Sequence, residues 1–355
     1  MPRTIRYTLL SLRELIVSAG PFILLAFGLL ALAYWWLDPI PPERVRLATG
    51  PAQSAYAAFG VGYQKALAAS GIEVELLPSE GSSDNLRMVQ QGQADLGFVQ
   101  GGSRKPSQDD GTAPLSLGDL FVEPVWLFYR EDAARKLRPS ATLLNLGELR
   151  GMRINVGTPG SGVPQLMASL FDLNKIEPDS VTLSQLGQTD ATVAFLDGSI
   201  DALVFASAPE SLMVQMLLQT PGVKLMDIAQ NEAYSRRLPF LAPVTLPRGV
   251  VDLAADVPAA NVHLVATTTT LLATPTLHPA VLQLFSQASL AMHGSAGWFS
   301  RSREYPLAAN AEFPLAKEAE RTIRNGVPLL QRYLPFQLAN LLERMWLSLG
   351  IILAL

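Results

Sequence analysis

The sequence predicts an α/β protein of two similar lobes that face each other across a cleft, carried behind an N-terminal membrane helix. Three observations predict it. Strand-like and helix-like segments alternate from about Glu43 to Val327, which implies parallel or mixed sheets covered by helices. The order of these elements, with its glycines and aspartates, recurs 106 residues further on. A stretch of 23 residues near the start, Leu15–Leu37, carries no charge.

That first stretch, "LIVSAGPFILLAFGLLALAYWWL", is long enough to cross a hydrocarbon core of about 30 Å as a helix. It is longer than a signal-peptide core, and no small-residue cleavage site follows it. Tyr34, Trp35 and Trp36 form an aromatic belt at one end, and Arg3, Arg6 and Arg13 precede the span. The expectation is a cytoplasmic segment 1–14, a transmembrane helix 15–37, and a main body outside a bacterial inner membrane, in the periplasm. "DPIPPER" reads as a short stiff spacer.

The body then proceeds element by element. "RVRLAT" (Arg44–Thr49) alternates as a strand, and "AYAAFGVGYQKALAAS" (Ala55–Ser70) has a helical pattern stopped by Gly71. "IEVELLP" (Ile72–Pro78) is a strand, "SDNLRMVQQ" (Ser83–Gln91) a helix ended by Gly92, and "ADLGFVQ" (Ala94–Gln100) a buried strand. "EPVWLFYR" reads as a strand crossing between lobes, with Trp126 as a packing residue. "MRINVGTPGSGVPQLMASLFDLNKI" supplies a strand, a glycine turn and a helix, and "SVTLSQ" (Ser180–Gln185) the next strand. "GQTDATVAFLDGSIDALVFA" (Gly187–Ala206) echoes Gly81–Gln100: Gly81 matches Gly187, Asp84 Asp190, Gly92 Gly198 and Asp95 Asp201. "VHLVATTTT", rich in β-branched residues, reads as a second crossing strand. Lobe 1 is expected to comprise 43–123 plus 262–327, and lobe 2 124–261. Residues 328–355 read as an amphipathic helix and an apolar tail that lies in an interface or begins a second span.

Composition narrows the function classes. Of 355 residues 16% are charged, and the formal charge is −4, which argues against a nucleic-acid surface. With no cysteine, thiolate metal sites and cysteine nucleophiles are excluded, and an oxidising compartment is compatible. "GTPGSG" is not a phosphate loop, because Val163 and Pro164 stand where a lysine and a hydroxyl residue would be needed. His263, His278 and His293 sit in no metal spacing; His293, before Gly294, suits a helix C-terminus as a partly charged imidazole. No nucleophile elbow is present. The expectation is a binding protein, not an enzyme, with no cofactor.

In open sheets ligands bind beyond the carboxyl ends of strands, where helices begin. Four small, polar, glycine-bearing turns occupy that position: Thr49–Tyr56, Glu80–Asn85, Gly157–Gly162 and Leu186–Asp190. The candidate ligand-binding residues follow from them. Ser54 and Tyr56 offer hydroxyls, or else a helix cap and a core ring. Ser82, Ser83 and Asn85 begin the next helix, where a serine also serves as a plain cap. Gln100 ends a strand at the cleft. Thr158, Ser161 and Gly162 open the second-lobe helix with backbone N–H groups suited to an anion. Thr189 mirrors Ser83, and Ser207 and Pro209 follow a strand at the cleft. Asp84 and Asp190 are read as helix-terminus stabilisers. None of the four turns holds an arginine; Arg104, Arg130 and Arg248 read as surface charges, so a neutral or zwitterionic ligand is as admissible as a dicarboxylate.

"EGSSDNLRMVQQGQADLGFVQ" and "RINVGTPGSG" resemble motifs of the TAXI-type solute-binding proteins of TRAP transporters. "VRLATGPAQSAYAAFGVGYQKAL" is similar to a degraded form of that family's glycine-rich first motif, with Pro51, Ala52 and Gln53 in part of its place. The resemblance spans roughly Arg44 to Gly294. It implies a periplasmic-binding-protein-like (type II) clamshell of two parallel or mixed sheets. It also implies a receptor that closes over a small organic solute, an amino acid, a glutamate-like molecule or a dicarboxylate, and presents it to a multi-span permease. The alternative is a tethered sensor or protein-interaction module built on the same clamshell without transport.

Overall fold

The computed structural model describes residues 17, 20–21, 24–35, 40–52, 54–104, 113–209, 211–310 and 312–354. The expected cytoplasmic segment 1–14, both ends of the Leu15–Leu37 span, and Gln53 lie outside them. The chain divides into two units, Met1–Pro42 with Val327–Leu355, and Glu43–Gly326. In the first unit, residues 24–35 are helical, Leu330–Arg332 form a 3-10 turn, and Phe336–Ala354 form a helix that starts after Pro335. Among the described residues no helix is long and apolar enough to cross a membrane.

The second unit begins with β1 (Arg44–Ala48), α1 (Ala55–Ala68), β2 (Glu73–Leu77), α2 (Ser82–Gln90) and β3 (Leu96–Gln100). The long strand β4 (Leu115–Arg130) then runs into α3 (Glu131–Leu137). Next come β5 (Arg153–Asn155), α4 (Val163–Leu173), β6 (Thr182–Ser184), α5 (Gln188–Asp197) and β7 (Ala202–Ala206). Then follow α6 (Leu212–Leu218), β8 (Val223–Leu225), α7 (Asn231–Arg237), β9 (Leu241–Leu246), β10 (Val262–Ala273), α8 (Pro279–His293) and α9 (Lys317–Asn325).

The ten strands make one mixed sheet with the path β2-β1-β3-β10-β4-β7-β5-β6; β8 joins β4, and β9 joins β10. This corrects the reading of two separate sheets. β4 has 16 residues and β10 has 12, enough to serve both halves, and they pair with each other antiparallel. Around that pair the path is symmetric. β3, β1 and β2 run parallel to one another beyond β10, as β7, β5 and β6 do beyond β4.

The repeat seen in sequence has a physical counterpart. Asp95 accepts from the backbone N–H of Arg46 at 2.8 Å and from its guanidinium, which also donates to the carbonyl of Gly92 at 2.9 Å. Asp201 accepts from the N–H of Arg153 at 2.9 Å and from its guanidinium, which donates to the carbonyl of Gly198 at 2.8 Å. In each half a carboxylate just before one strand, β3 or β7, thus ties that strand to its neighbour, β1 or β5. Burial pushes the Asp201 carboxyl up, but the Arg153 bonds outweigh it and hold the group below its usual range. Asp201→Ala leaves a backbone donor and a guanidinium without their acceptor, and is expected to cost about 1–3 kcal/mol in a urea titration. A cost below about 0.3 kcal/mol would remove the clamp from the account.

The period of two along β4 sends its side chains to opposite faces. Val125, Leu127 and Tyr129 enter one core with Ile154, Leu166 and Val204. Trp126 and Phe128 enter the other with Phe195, Leu203 and Val214. Trp126 is fully buried, stacks with Phe128 and donates its Nε1–H to the carbonyl of Ser207 at 2.7 Å.

His293 departs from its expectation. It ends α8, but its ring is buried among Phe59, Phe121 and Tyr63, with Nε2 at 3.2 Å from the Tyr63 hydroxyl. Burial pulls its pKa down to about 4, so the imidazole is neutral at pH 7 and serves packing rather than the helix dipole. His278 caps the start of α8, its Nδ1 accepting from the N–H of Ala280 at 3.1 Å.

Candidate functional site

The helices of both halves begin where the strands end, so the turns converge on one region of the Glu43–Gly326 unit. A cavity of about 200 Å³ lies there, walled by the starts of α1, α2, α4 and α5 and by the ends of β3, β5 and β7. Helix starts expose N–H groups and a partial positive charge, so the wall favours hydrogen-bond acceptors at four points.

The structure sorts the twelve candidate residues. Seven line the cavity: Ser54, Tyr56, Ser82, Gln100, Thr158, Ser161 and Ser207. Most also hold the frame. Ser54 caps α1, its Oγ accepting from the N–H of Ala57 at 3.2 Å. Ser82 Oγ accepts from the N–H of Gln100 at 2.8 Å and meets Ser103 Oγ at 2.8 Å. Ser161 donates its hydroxyl to the carbonyl of Thr158 at 2.7 Å, closing the turn before α4.

The other five are not among the lining residues. Asn85 is fully buried, donates to the carbonyl of Phe98 at 2.8 Å and accepts from Ser79 Oγ at 2.6 Å. Its amide ties α2 to β3. The buried Ser83 hydroxyl has no hydrogen-bond partner among the described residues and lies off the wall. At the start of α5 the wall is made by Gly187 and Gln188, not Thr189. The carbonyl of Pro209 accepts from Gln215 at 3.2 Å, which turns it toward α6.

Gly162 has a different task. Its φ of +87° favours glycine, and a Cβ there would lie 3.3 Å from the Gln100 amide and 3.4 Å from Ser82 Cβ, across the cleft. Gly81, with φ of +129°, comes equally near the opposite side: a Cβ would lie 3.0 Å from Ser161 Cα. The N–H of Gly160 donates to the Glu80 carboxylate at 3.1 Å. The first-half turn before α2 and the second-half turn before α4 therefore touch, and the cleft is closed at this edge.

Of the described lining residues outside the candidates, two are buried polar groups. Asn155, at the end of β5, is buried; it accepts from the N–H of Leu186 at 2.8 Å and from Ser184 Oγ at 3.1 Å, fixing the turn before α5. Glu123, on the crossing strand β4, is 2% exposed and lines the cavity. Its Oε2 accepts from the Tyr56 hydroxyl at 2.6 Å and from the Thr269 hydroxyl of β10. A lone acid inside the apolar run "FVEPVWLFY" was the available signal, since an acid is seldom buried without a partner.

Burial pushes the Glu123 carboxyl up to about 7, against the two hydroxyl bonds that pull it down. The raised value sets the sign of a pH effect. Between its ordinary 4.5 and about 7 the folded state holds this proton more tightly than the unfolded state, so stability falls as pH rises through that window. Full ionisation costs about 3 kcal/mol. Glu123→Gln keeps an oxygen acceptor and removes the charge. It is expected to flatten the loss of stability between pH 5 and 8, measured by chemical denaturation at each pH. An unchanged slope would count against a protonated Glu123.

With fold and cavity described, the class is an α/β protein whose single mixed sheet brings helix starts from both of its halves around one cavity. The chain belongs to the NMT1-like family, whose model matches residues 47–323. Solved structures similar to it include the alkanesulfonate-binding protein SsuA from Xanthomonas axonopodis pv. citri bound to MOPS, at 14% identity and TM-score 0.44, covering 87% of this chain and 94% of that one. Another is the periplasmic aliphatic sulphonate binding protein SsuA from Escherichia coli, at 15% identity and TM-score 0.45, covering 88% and 83%. A third is the Synechocystis CcmR regulatory domain in complex with 2-PG, at 17% identity and TM-score 0.44, covering 71% and 98%.

Proposed function

We propose that the chain is a membrane-tethered extracytoplasmic solute receptor, a TAXI-type member of the NMT1-like family, that binds a small organic solute between its halves. One observation carries the reading: helix starts from both halves of the sheet wall a single cavity, and turns from both halves touch across its mouth. A ligand there contacts both halves at once and favours the closed population over the open one. β4 and β10 are the only strands of the described sheet that pair across its midline, so the hinge lies in them.

The tether and the periplasmic location rest on the uncharged span and the arginines before it. In this reading the closed form is what a multi-span TRAP-type permease recognises. The test is a thermal melt of the full-length chain in detergent against amino acids, amines, dicarboxylates and sulfonates. A ligand at 100 times its Kd is expected to add about 2.7 kcal/mol to stability. Small-angle scattering should show the chain becoming more compact with the same ligand. A well-folded chain that responds to no solute class would sink the receptor reading and favour the tethered sensor or interaction module.

A further inference from the structure

We propose that the solute carries an amine, and that Glu123 is the residue that selects it over a dicarboxylate or a sulfonate. This rests on the solute-binding reading of the same cavity. Among the described residues no lysine, arginine or histidine lines the cavity, so none of them brings a side-chain cation there to grip a second anionic group. Glu123 supplies the opposite chemistry. The Tyr56 and Thr269 hydroxyls both donate to Oε2, and the carboxyl itself lines the cavity. A ligand ammonium or N–H group that reaches this carboxyl meets an acceptor already held in place by two hydroxyls.

The geometry also divides the ligand into two ends. The starts of α1, α2, α4 and α5 line the wall, and the partial positive charge of a helix start favours an acceptor end, such as a single carboxylate. Glu123, on β4, receives the donor end. A protonated amine stabilises the ionised Glu123, forming a charge-assisted hydrogen bond in a site where burial otherwise disfavours that charge. A dianion of the same length brings a second negative group toward a carboxyl that has no cation beside it among the described residues. Glu80, at the rim, adds to the discrimination, since its carboxylate already accepts from the N–H of Gly160.

Isothermal titration of the full-length chain with four probes of similar length tests this: 4-aminobutyrate, 1,4-diaminobutane, succinate and propane-1-sulfonate. The amine-bearing probes are expected to bind at least about tenfold more tightly than the other two, with 4-aminobutyrate the tightest. In Glu123→Gln the preference for 4-aminobutyrate over succinate is expected to shrink to within about threefold. Tighter binding of succinate or propane-1-sulfonate by the wild-type chain overturns the inference and leaves the receptor reading standing. So does a Glu123→Gln chain that keeps the preference. Binding of none of the four overturns the inference, and the wider melt then decides whether the receptor reading falls with it. The wild-type comparison stands even if the variant does not fold.

Discussion

Gly160→Val is expected to hold the two halves apart and to weaken solute binding by about two orders of magnitude, while leaving the chain folded. The reason is the contact at the mouth of the cleft. A Cβ on Gly160 would lie 2.6 Å from Glu80 Cβ and 3.2 Å from Asp84 Cβ. Those are the roots of side chains at the approach to and first turn of α2, not flexible tips, so the turn itself has to move. Gly160 is not among the glycines with positive φ, so valine brings a clash without that backbone strain. The open form meets no such clash and the unfolded chain is indifferent to it. A penalty of about 3 kcal/mol on closure alone corresponds to about a hundredfold in Kd, because the ligand has to supply it. Titration gives the affinity and scattering gives the compaction. Binding within about threefold of wild type would mean that closure at this edge is not coupled to the solute.

Trp126→Ala is expected to lower stability by about 3–5 kcal/mol. The indole is fully buried on β4, stacks with Phe128 at 6.4 Å and meets the edge of Phe299 at 5.8 Å. Its loss leaves a void in a core also built from Phe195, Leu203 and Leu246. It also leaves the carbonyl of Ser207 without its indole donor, at a strand end that lines the cavity. Trp126→Phe retains much of the volume and loses the hydrogen bond, so it should fall between wild type and alanine. Urea unfolding with unchanged slope measures both. An alanine variant within about 1 kcal/mol of wild type would show that the core collapses around the missing ring.

Much of the architecture was legible because backbone chemistry leaves local marks. β1, β2 and β3 show as alternating or continuous apolar runs, and glycines mark where helices stop. The recurrence of Asp95 as Asp201 and of Gly92 as Gly198 was visible in the text of the chain. Its partner could not be read in the same way, because Arg46 and Arg153 meet those aspartates only after the strands lie side by side. The site shows the same division. Ser54, Ser82 and Ser161 announce helix starts wherever they occur, so their turns could be placed. Asn85 has the same local signature and yet faces the core, since helical rotation sends its amide to β3. His293 looked like a helix-end charge and is a neutral core ring, because Phe59, Tyr63 and Phe121 arrive from distant elements to bury it.

By itself, then, the sequence determined the strand–helix rhythm, the internal repeat, the four polar turns and the absence of cysteine chemistry. Each depends on residues close in the chain, through turn geometry, side-chain periodicity or composition. Only the tertiary structure decided that one sheet joins both halves, that Gly160 meets Glu80 across the cleft, and that Glu123 is buried beside Tyr56 and Thr269 in the cavity wall. Glu123 and Thr269 stand 146 residues apart. Whether an acid at such a position is solvated or buried is set by what packs over it, and the energy that raises its pKa comes from that burial.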